Sequence, residues 1–306
     1  MGLYTDPMDQ ITVFLNGAWI PNSELHISVD DAGFLLGATV TERLRTFGGK
    51  VFRLDEHLGR LRNSLKIIGL DSDAICNQVA AAIPEFLHRN QSLIDAGDDW
   101  SIVAFVTPGE MGSGRPTVCV HGYPLPFKSW ASKYETGVPV IVSRIRQLPP
   151  NCLPPELKHR SRMHFYLADR DATAKQPGAR AILLDQDGFI AEATTANVVI
   201  FREGEGFVSP PHDNILSGVS LGVVQELSSR IGLPFNTRRL SVEEFRSANE
   251  ALLTSTSICA LPIVECNGRP IGNGKPGPLY RRLLSAWNDL VGLDIADQAR
   301  RYATRP

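Results

Sequence analysis

Cysteine, methionine and tryptophan are sparse in this sequence, at five, four and four residues among 306. The cysteines, Cys76, Cys119, Cys152, Cys259 and Cys266, are odd in number, scattered, and never spaced as C-x-x-C. That pattern argues against a disulfide framework and reads as free thiols in a reducing compartment. Long apolar runs are missing too: none approaches the ~20 residues that span a bilayer. The opening stretch, Met1 to Asp6, lacks the basic-then-apolar layout of a secretory signal. A cytoplasmic location with no membrane partner is therefore the expectation. Neither sign of charge is in excess, with 31 basic against 33 acidic residues and a net charge of -2. Bulk charge thus gives no reason to expect nucleic acid as a partner, and no metal is expected.

What is present is ordinary globular composition, 43% hydrophobic and 21% charged. The length suits two modest domains or one large one. Ile11 to Ile20 alternates around Asn16-Gly17 and reads as a β-hairpin. Thr39 to Phe47, a Gly48-Gly49 turn and Lys50 to Arg53 read as a second. Leu54, Leu58, Leu61 and Leu65 recur at helical spacing. A further helix is expected from Ala74 to His88 and a buried strand from Ser101 to Val106. The proline-bearing stretch Tyr123 to Lys133 is read as a linker, dividing the chain into domains 1–128 and 129–306. Beyond it, Val138 to Val142 reads as a strand. Ala181 to Leu184 and Phe189 to Phe201 read as one long hairpin about the turn Asp185 to Gly188. A helix is expected over Leu221 to Ile231, a short strand over Ala251 to Leu253 and an amphipathic helix over Leu279 to Val291. Strands and helices mix without regular βαβ alternation, so an α+β or irregular α/β fold is expected rather than a Rossmann fold. Gly272 to Gly277 fits G-x-G-x-x-G literally. Pro276 interrupts it and too little chain follows for a βαβ unit, so it reads as a turn.

Four local features have residue types suited to chemistry. Lys158 is followed by Arg160 and Arg162; if partly buried, its amine would be depressed in pKa by these cations and become nucleophilic. A surface lysine in a basic loop is the alternative. Ser217 to Ser220 precede an apolar helix, where free N–H groups and a hydroxyl suit an anion, or where Ser217 or Ser220 is an ordinary N-cap. Thr254 to Ser257 end a strand in hydroxyls, suiting a phosphate or a polar turn. Glu192 stands among small and apolar residues and requires a partner if buried: a pyridinium nitrogen, or an arginine.

The order and spacing of these blocks carry more than any one of them. ELKHRSRM, LLDQDGFIAEATTANVVIF, VSPPHDNILSGVS and ANEALLTSTSICALPIVECNGRPIGNGKPGPLYRRL, preceded by FLNGAWIP and DDAGFLLGATVTERLRTFGGKVFRLDEHLGRL, resemble the fold-type IV pyridoxal-phosphate enzymes. That family includes branched-chain and D-amino-acid aminotransferases, R-selective amine transaminases and aminodeoxychorismate lyases. The resemblance runs from about residue 13 to residue 284. It implies the two-domain D-amino-acid aminotransferase-like fold, pyridoxal 5'-phosphate as cofactor, and a homodimer. Lys158 resembles the Schiff-base lysine that shuttles the proton between Cα and C4′. Glu192 resembles the carboxylate that keeps the pyridine nitrogen protonated. Arg60 resembles the phosphate-binding arginine; Val219 and Ser220 match the donors at the helix start, and Ser255 and Thr256 the second phosphate-binding turn. Asn197 is expected to support the hairpin near the cofactor. The implied reaction is ping-pong transfer of an amino group from an amino acid or amine to a 2-oxo acid.

Departures from the family fall in the substrate pocket. Thr41 stands at the aromatic wall position, and Arg43 where branched-chain enzymes are small. Strand alternation puts Thr41, Arg43 and Arg45 on one face, so Arg43 or Arg45 either holds a substrate carboxylate or is structural. Pro108 stands where D-amino-acid enzymes carry a carboxylate-trapping arginine, and Val103 where branched-chain enzymes have theirs. Met163 replaces the branched-chain tyrosine, as the D-amino-acid enzymes and lyases do with an aliphatic residue. A 4-amino-4-deoxychorismate lyase is the alternative, disfavoured by Arg43 where lyases have threonine. A non-catalytic small-molecule-binding relative is the third reading, opposed by the joint presence of Lys158, Glu192 and both phosphate-binding turns.

Overall fold

The computed structural model of the chain describes residues 10–305; Met1 to Asp6, read above for a signal, lie outside them. The chain divides into two units. One runs to Leu125 and adds Leu157–Ser161; the other comprises Pro126–Glu156 and the chain from Arg162 onward.

The first unit opens with hairpin β1 (Thr12–Leu15) and β2 (Ala18–Pro21). Asn16 and Gly17, at φ 51° and 91°, supply the left-handed pair that such a tight turn requires. A short helix, α1 (Ala32–Leu35), leads to β3 (Val40–Phe47), which turns at Gly48-Gly49 into β4 (Lys50–Val51). Helices α2 (Leu54–Ile67) and α3 (Ser72–Asn90) follow, then β5 (Trp100–Thr107) and β6 (Thr117–Pro124). The six strands form an antiparallel sheet in the order β2-β1-β6-β5-β3-β4. Every residue of β5 is buried, as its near-continuous apolar run requires for a central strand. Leu61 and Leu65 of α2 and Ile75, Val79, Ile83 and Phe86 of α3 bury the helices' apolar stripes. The expected linker is shortened at its start: Tyr123 and Pro124 pair with Ser101 and Trp100 and belong to β6.

The second unit contains α4 (Lys133–Thr136), β7 (Val138–Arg146), α5 (Met163–Lys175), β8 (Arg180–Leu184), β9 (Ile190–Ala193), β10 (Asn197–Arg202) and β11 (Gly206–Ser209). Then come α6 (Val219–Arg230), β12 (Phe235–Thr237), α7 (Val242–Arg246), β13 (Glu250–Ser255), β14 (Cys259–Cys266), β15 (Arg269–Pro270), α8 (Pro278–Val291) and α9 (Ile295–Arg301). Its sheet runs β12-β11-β10-β13-β14-β7-β8-β9, with β15 on β14. Parallel pairs at β11/β12, β14/β7 and β7/β8 are mixed with antiparallel ones, the irregular pattern expected without βαβ repetition.

The long hairpin expected over Ala181 to Phe201 does not form as one element. Its returning arm breaks at Thr194 to Ala196, with Thr195 at φ 61° and reciprocal bonds between Ala193 and Ala196. Asp169 accepts from the Thr194 hydroxyl at 2.7 Å and so fixes the kink. The chain therefore leaves β8 as β9 and pairs next with β13 and β11 as β10. Gly272 to Gly277 forms turns leading into α8, whose first amides donate to the Glu250 carboxylate at 2.9 and 2.8 Å. Among the described residues no helix is long and apolar enough to cross a membrane.

Candidate active site

In the first unit, Leu157–Ser161 adds an extended segment beside β3. The Thr41 amide donates to the Lys158 carbonyl and the Arg160 amide to the Thr39 carbonyl, each at 2.9 Å, while Val40 pairs with His159. The Lys158 amide donates to Ser64 Oγ of α2 at 3.2 Å, and Ser161 Oγ to the Gly37 carbonyl at 2.7 Å. Lys158 is half-buried on a backbone held from two sides, not a lysine of a loose surface loop.

Under this segment lies a buried charge cluster. Arg60 grips Glu42 with both arms of its fork, Nε to Oε1 and NH2 to Oε2, each at 2.8 Å. His57 Nδ1 meets Glu42 Oε2 at 2.8 Å. Burial alone would raise the Glu42 pKa; the charge and hydrogen bonds of Arg60, then those of His57, outweigh it and hold the carboxyl at about 2. The His57 pKa is lowered as well: burial lowers it, Glu42 opposes, and the charges of Arg60 and Lys158 add to the lowering. The spacing of Glu42, His57 and Arg60 in the sequence does not announce this triad, because the strand and the helix meet only through tertiary packing.

The residues expected to line the substrate pocket separate. Thr41 is buried and donates to the Ala104 carbonyl at 3.0 Å. Arg43 is half-buried and donates to Ser101 Oγ at 2.9 Å and to the Tyr123 hydroxyl. Arg45 is fully enclosed, 3.9 Å from the Asp99 carboxylate, with its guanidinium 3.9 Å from the Phe47 ring centroid. Of the two readings its strand position allowed, carboxylate holder or structural arginine, Arg45 fits the structural one. Pro108, half-buried, leaves β5 beside Gly109. At Gly109 φ is 84° and a Cβ would stand 1.8 Å from the Arg115 carbonyl oxygen, so the bend admits glycine alone.

In the second unit, Glu192 lies on β9 with only 6% exposure. Gln147 Nε2 donates to its carboxylate at 2.5 Å, and Gln147 Oε1 meets His164 Nε2 at 3.1 Å. Neither Gln147 nor His164 stood out in the sequence; Gln147 is 45 residues from Glu192 and carries no motif of its own. Glu192 thus has an amide, Gln147, among its partners.

The kink after β9 sets Asn197 at the start of β10, in register with Thr254 of β13. Its amide donates to the Leu216 carbonyl at 2.8 Å. Asn197 thus links the approach to α6 with the strand end that carries Ser255 and Thr256. At Gly218 a Cβ would fall 2.1 Å from Asn197 Oδ1, so a side chain there would force the two apart. Neither expected serine caps α6: the N-cap is Gly218, without a side-chain bond, while Ser217 Oγ meets His212 Nδ1 at 3.1 Å. The first-turn amides at Val219 and Ser220 are left for an anion, where the helix dipole favours one. Thr254 Oγ1 turns inward to the Cys259 carbonyl at 2.7 Å, while Ser255 and Thr256 are half-buried. Among the described residues no cluster of three His, Cys, Asp or Glu is arranged to hold a metal.

The family model described as "Amino-transferase class IV" matches residues 39–266. Branched-chain-amino-acid aminotransferase-like protein 1 of Arabidopsis thaliana is 31% identical over 286 residues, covering 90% of this chain and 50% of its own. This chain spans about half of that plant protein. D-alanine aminotransferase of Bacillus licheniformis is 27% identical over 286 residues, covering 91% of this chain and 96% of its own. Among solved structures, the branched-chain amino acid aminotransferase from Escherichia coli superposes with a TM-score of 0.81 at 21% identity. The match covers 92% of this chain and 94% of that one, which establishes the fold-type IV architecture expected above. The matched span takes in the Lys158 segment, the Glu192 strand, the α6 N-terminus and the Ser255-Thr256 turn alike, and on that ground the chain belongs to the class IV aminotransferases and is a transaminase.

Proposed function

We propose that this aminotransferase uses pyridoxal 5'-phosphate and moves an amino group from an amino acid to a 2-oxo acid in a ping-pong cycle, with Lys158 as the reacting lysine. The observation that carries the reading is the seating of Lys158, bonded through its backbone to β3 and α2 beside the Glu42–Arg60 pair. The donor set fits such a cofactor: an uncapped helix start at α6, a glycine cradle at Gly218 and a buried carboxylate at Glu192. Arg60, the amides at Val219 and Ser220, and the hydroxyls of Ser220, Ser255 and Thr256 would hold the phosphate.

Bound pyridoxal phosphate supplies a carbonyl that captures the substrate amine and a ring that withdraws electrons from Cα. Glu192 would hold a proton at the pyridine nitrogen, its oxygen oriented by Gln147. Lys158 Nζ would take the proton from substrate Cα and return it at the cofactor's C4′, as base and then acid. Exposed Val29, Phe34, Leu35, Leu36 and Met111 form an apolar stretch around α1, tied together by the bond from the Met111 amide to the Asp30 carbonyl. That stretch supports a homodimer.

The test is spectroscopic and then chemical. The purified protein should absorb in the visible, and Lys158→Ala should lose that band together with all transfer from a panel of amino donors to 2-oxoglutarate or pyruvate. A colourless protein that takes up no added cofactor would sink the reading. Release of pyruvate from aminodeoxychorismate without an acceptor would replace transfer by elimination.

A further inference from the structure

One face of the six-stranded sheet carries more positive charge than its own side chains neutralise. The register of β3, β5 and β6 sets Thr41 opposite Phe105 and Cys119, Arg43 opposite Val103 and His121, and Ser101 opposite Tyr123. Alternation then puts Thr41, Arg43, Phe105, His121 and Tyr123 on a single face. Directly paired residues share a face, so the Val40–His159 bridge assigns Lys158 and Arg160, on either side of His159, to the face of Thr41 and Arg43.

Both arginines are braced without being neutralised. Arg43 bonds to Ser101 and Tyr123, with its guanidinium 5.6 Å from the Tyr123 ring centroid. Arg160 is exposed to solvent and stacks over Phe105 at 5.4 Å. Among the described residues neither makes an ion pair with a carboxylate, whereas Arg45 on the same strand as Arg43 and Arg60 on α2 do. Their charges oppose each other: crowding by neighbouring atoms, then the Arg43 charge, lowers the Arg160 pKa. His121 does not add a third cation, because burial and then the charges of Arg160 and Arg43 hold it at about 4. Two like charges held on a rigid sheet without a counterion are unfavourable until an anion arrives. Planar guanidinium forks match a carboxylate best.

We propose that Arg43 and Arg160, braced by Tyr123 and Phe105, bind the carboxylate of the substrate and so select amino acids and oxo acids over neutral amines. The assignment rests on Lys158 as the reacting lysine. Alternate residues of an extended segment are about 7 Å apart, so Lys158 and Arg160 can both reach one small substrate, its amine at the first and its carboxylate at the second.

The experiment measures binding of pentanoate and of its neutral isostere pentanamide to the holoenzyme by calorimetry, so that no turnover is needed. Wild type should prefer pentanoate, and Arg43→Met or Arg160→Met should each weaken pentanoate by about 10- to 100-fold while leaving pentanamide unchanged. Arg160→Lys should fall between wild type and Arg160→Met, since it keeps the charge and loses the fork. Thermal melts certify that each variant is folded. Equal binding of pentanoate and pentanamide by wild type overturns the proposal, as does unchanged pentanoate affinity in both folded methionine variants. Cofactor absorbance, recorded on the same samples, separates this failure from failure of the pyridoxal-phosphate reading: a protein with bound cofactor and indifferent arginines refutes the carboxylate site alone.

Discussion

Glu42 is buried, ionised and held by Arg60 and His57, and its worth depends on that pairing. Removing one partner of a buried pair leaves the other charge stranded at a cost of about 3–5 kcal/mol. Arg60→Leu should lower stability by that order in urea titrations, and Arg60→Lys by less. The sign of the pH dependence follows from the depressed Glu42 pKa. Its contribution is fully present above the unfolded value of 4.5 and is lost as pH falls towards about 2. His121 acts in the same direction at higher pH. Because it reaches only about 4 in the fold against 6.5 unfolded, stability should decline as pH falls through that window. His121→Phe should flatten the denaturation midpoint between pH 6.5 and 4 by one proton's worth of slope; an unaltered slope would refute the assignment. Gln147 is a positioning residue for Glu192. Gln147→Leu should lower kcat about tenfold and shift the pH titration of the cofactor's visible band with KM little changed. A cofactor titration identical to wild type would reduce Gln147 to packing.

At the scale of elements, the kink after β9 matters most. Without it β9 and β10 would be one arm, and Asn197 would not reach both the Leu216 carbonyl and the register of Thr254. Gly218→Ala should weaken cofactor affinity by displacing the Asn197 side chain, measured by equilibrium titration with pyridoxal phosphate. In an Asn197→Ala background the same substitution should cost almost nothing, because the clash is already gone; additive losses would contradict this. The two hairpins and α2 were legible in the sequence from Asn16-Gly17, Gly48-Gly49 and the leucines at 54, 58, 61 and 65. Helix α5 was not. Its buried face is Ala168 and Ala172, set against Ile141, Ala181 and Leu183, and two alanines leave no apolar stripe to read. The Thr195 kink was equally hidden, since the side chain gives no sign that its backbone will turn left-handed at φ 61°.

For the molecule as a whole, Val29, Phe34, Leu35, Leu36 and Met111 form one apolar stretch that a lone chain leaves in water. Phe34→Asp with Leu36→Asp should shift the protein from dimer to monomer in light scattering while each unit still folds; a monomeric wild type would refute the dimer. The family match spans residues 39–266, a stretch that contains Lys158, Glu192 and both hydroxyl-bearing turns. The proposed specificity site lies on the sheet face where Arg43 and Arg160 stand without carboxylates.

The roles proposed for Lys158, Glu192, Arg60, Ser220 and Thr256 came from the resemblance of ordered sequence blocks to the fold-type IV family, since each local signal was weak by itself. Turn and helix chemistry were local, written in Asn-Gly pairs and leucine spacing. Only tertiary structure separated Arg43 from Arg45, two neighbours on the same strand face with the same side chain. Asp99, remote in sequence but just before the neighbouring strand β5, neutralises one of them, and Tyr123 braces the other. Charge compensation is a property of three-dimensional neighbours, so no reading of residues 43 and 45 alone could have told the structural arginine from the one available to a substrate.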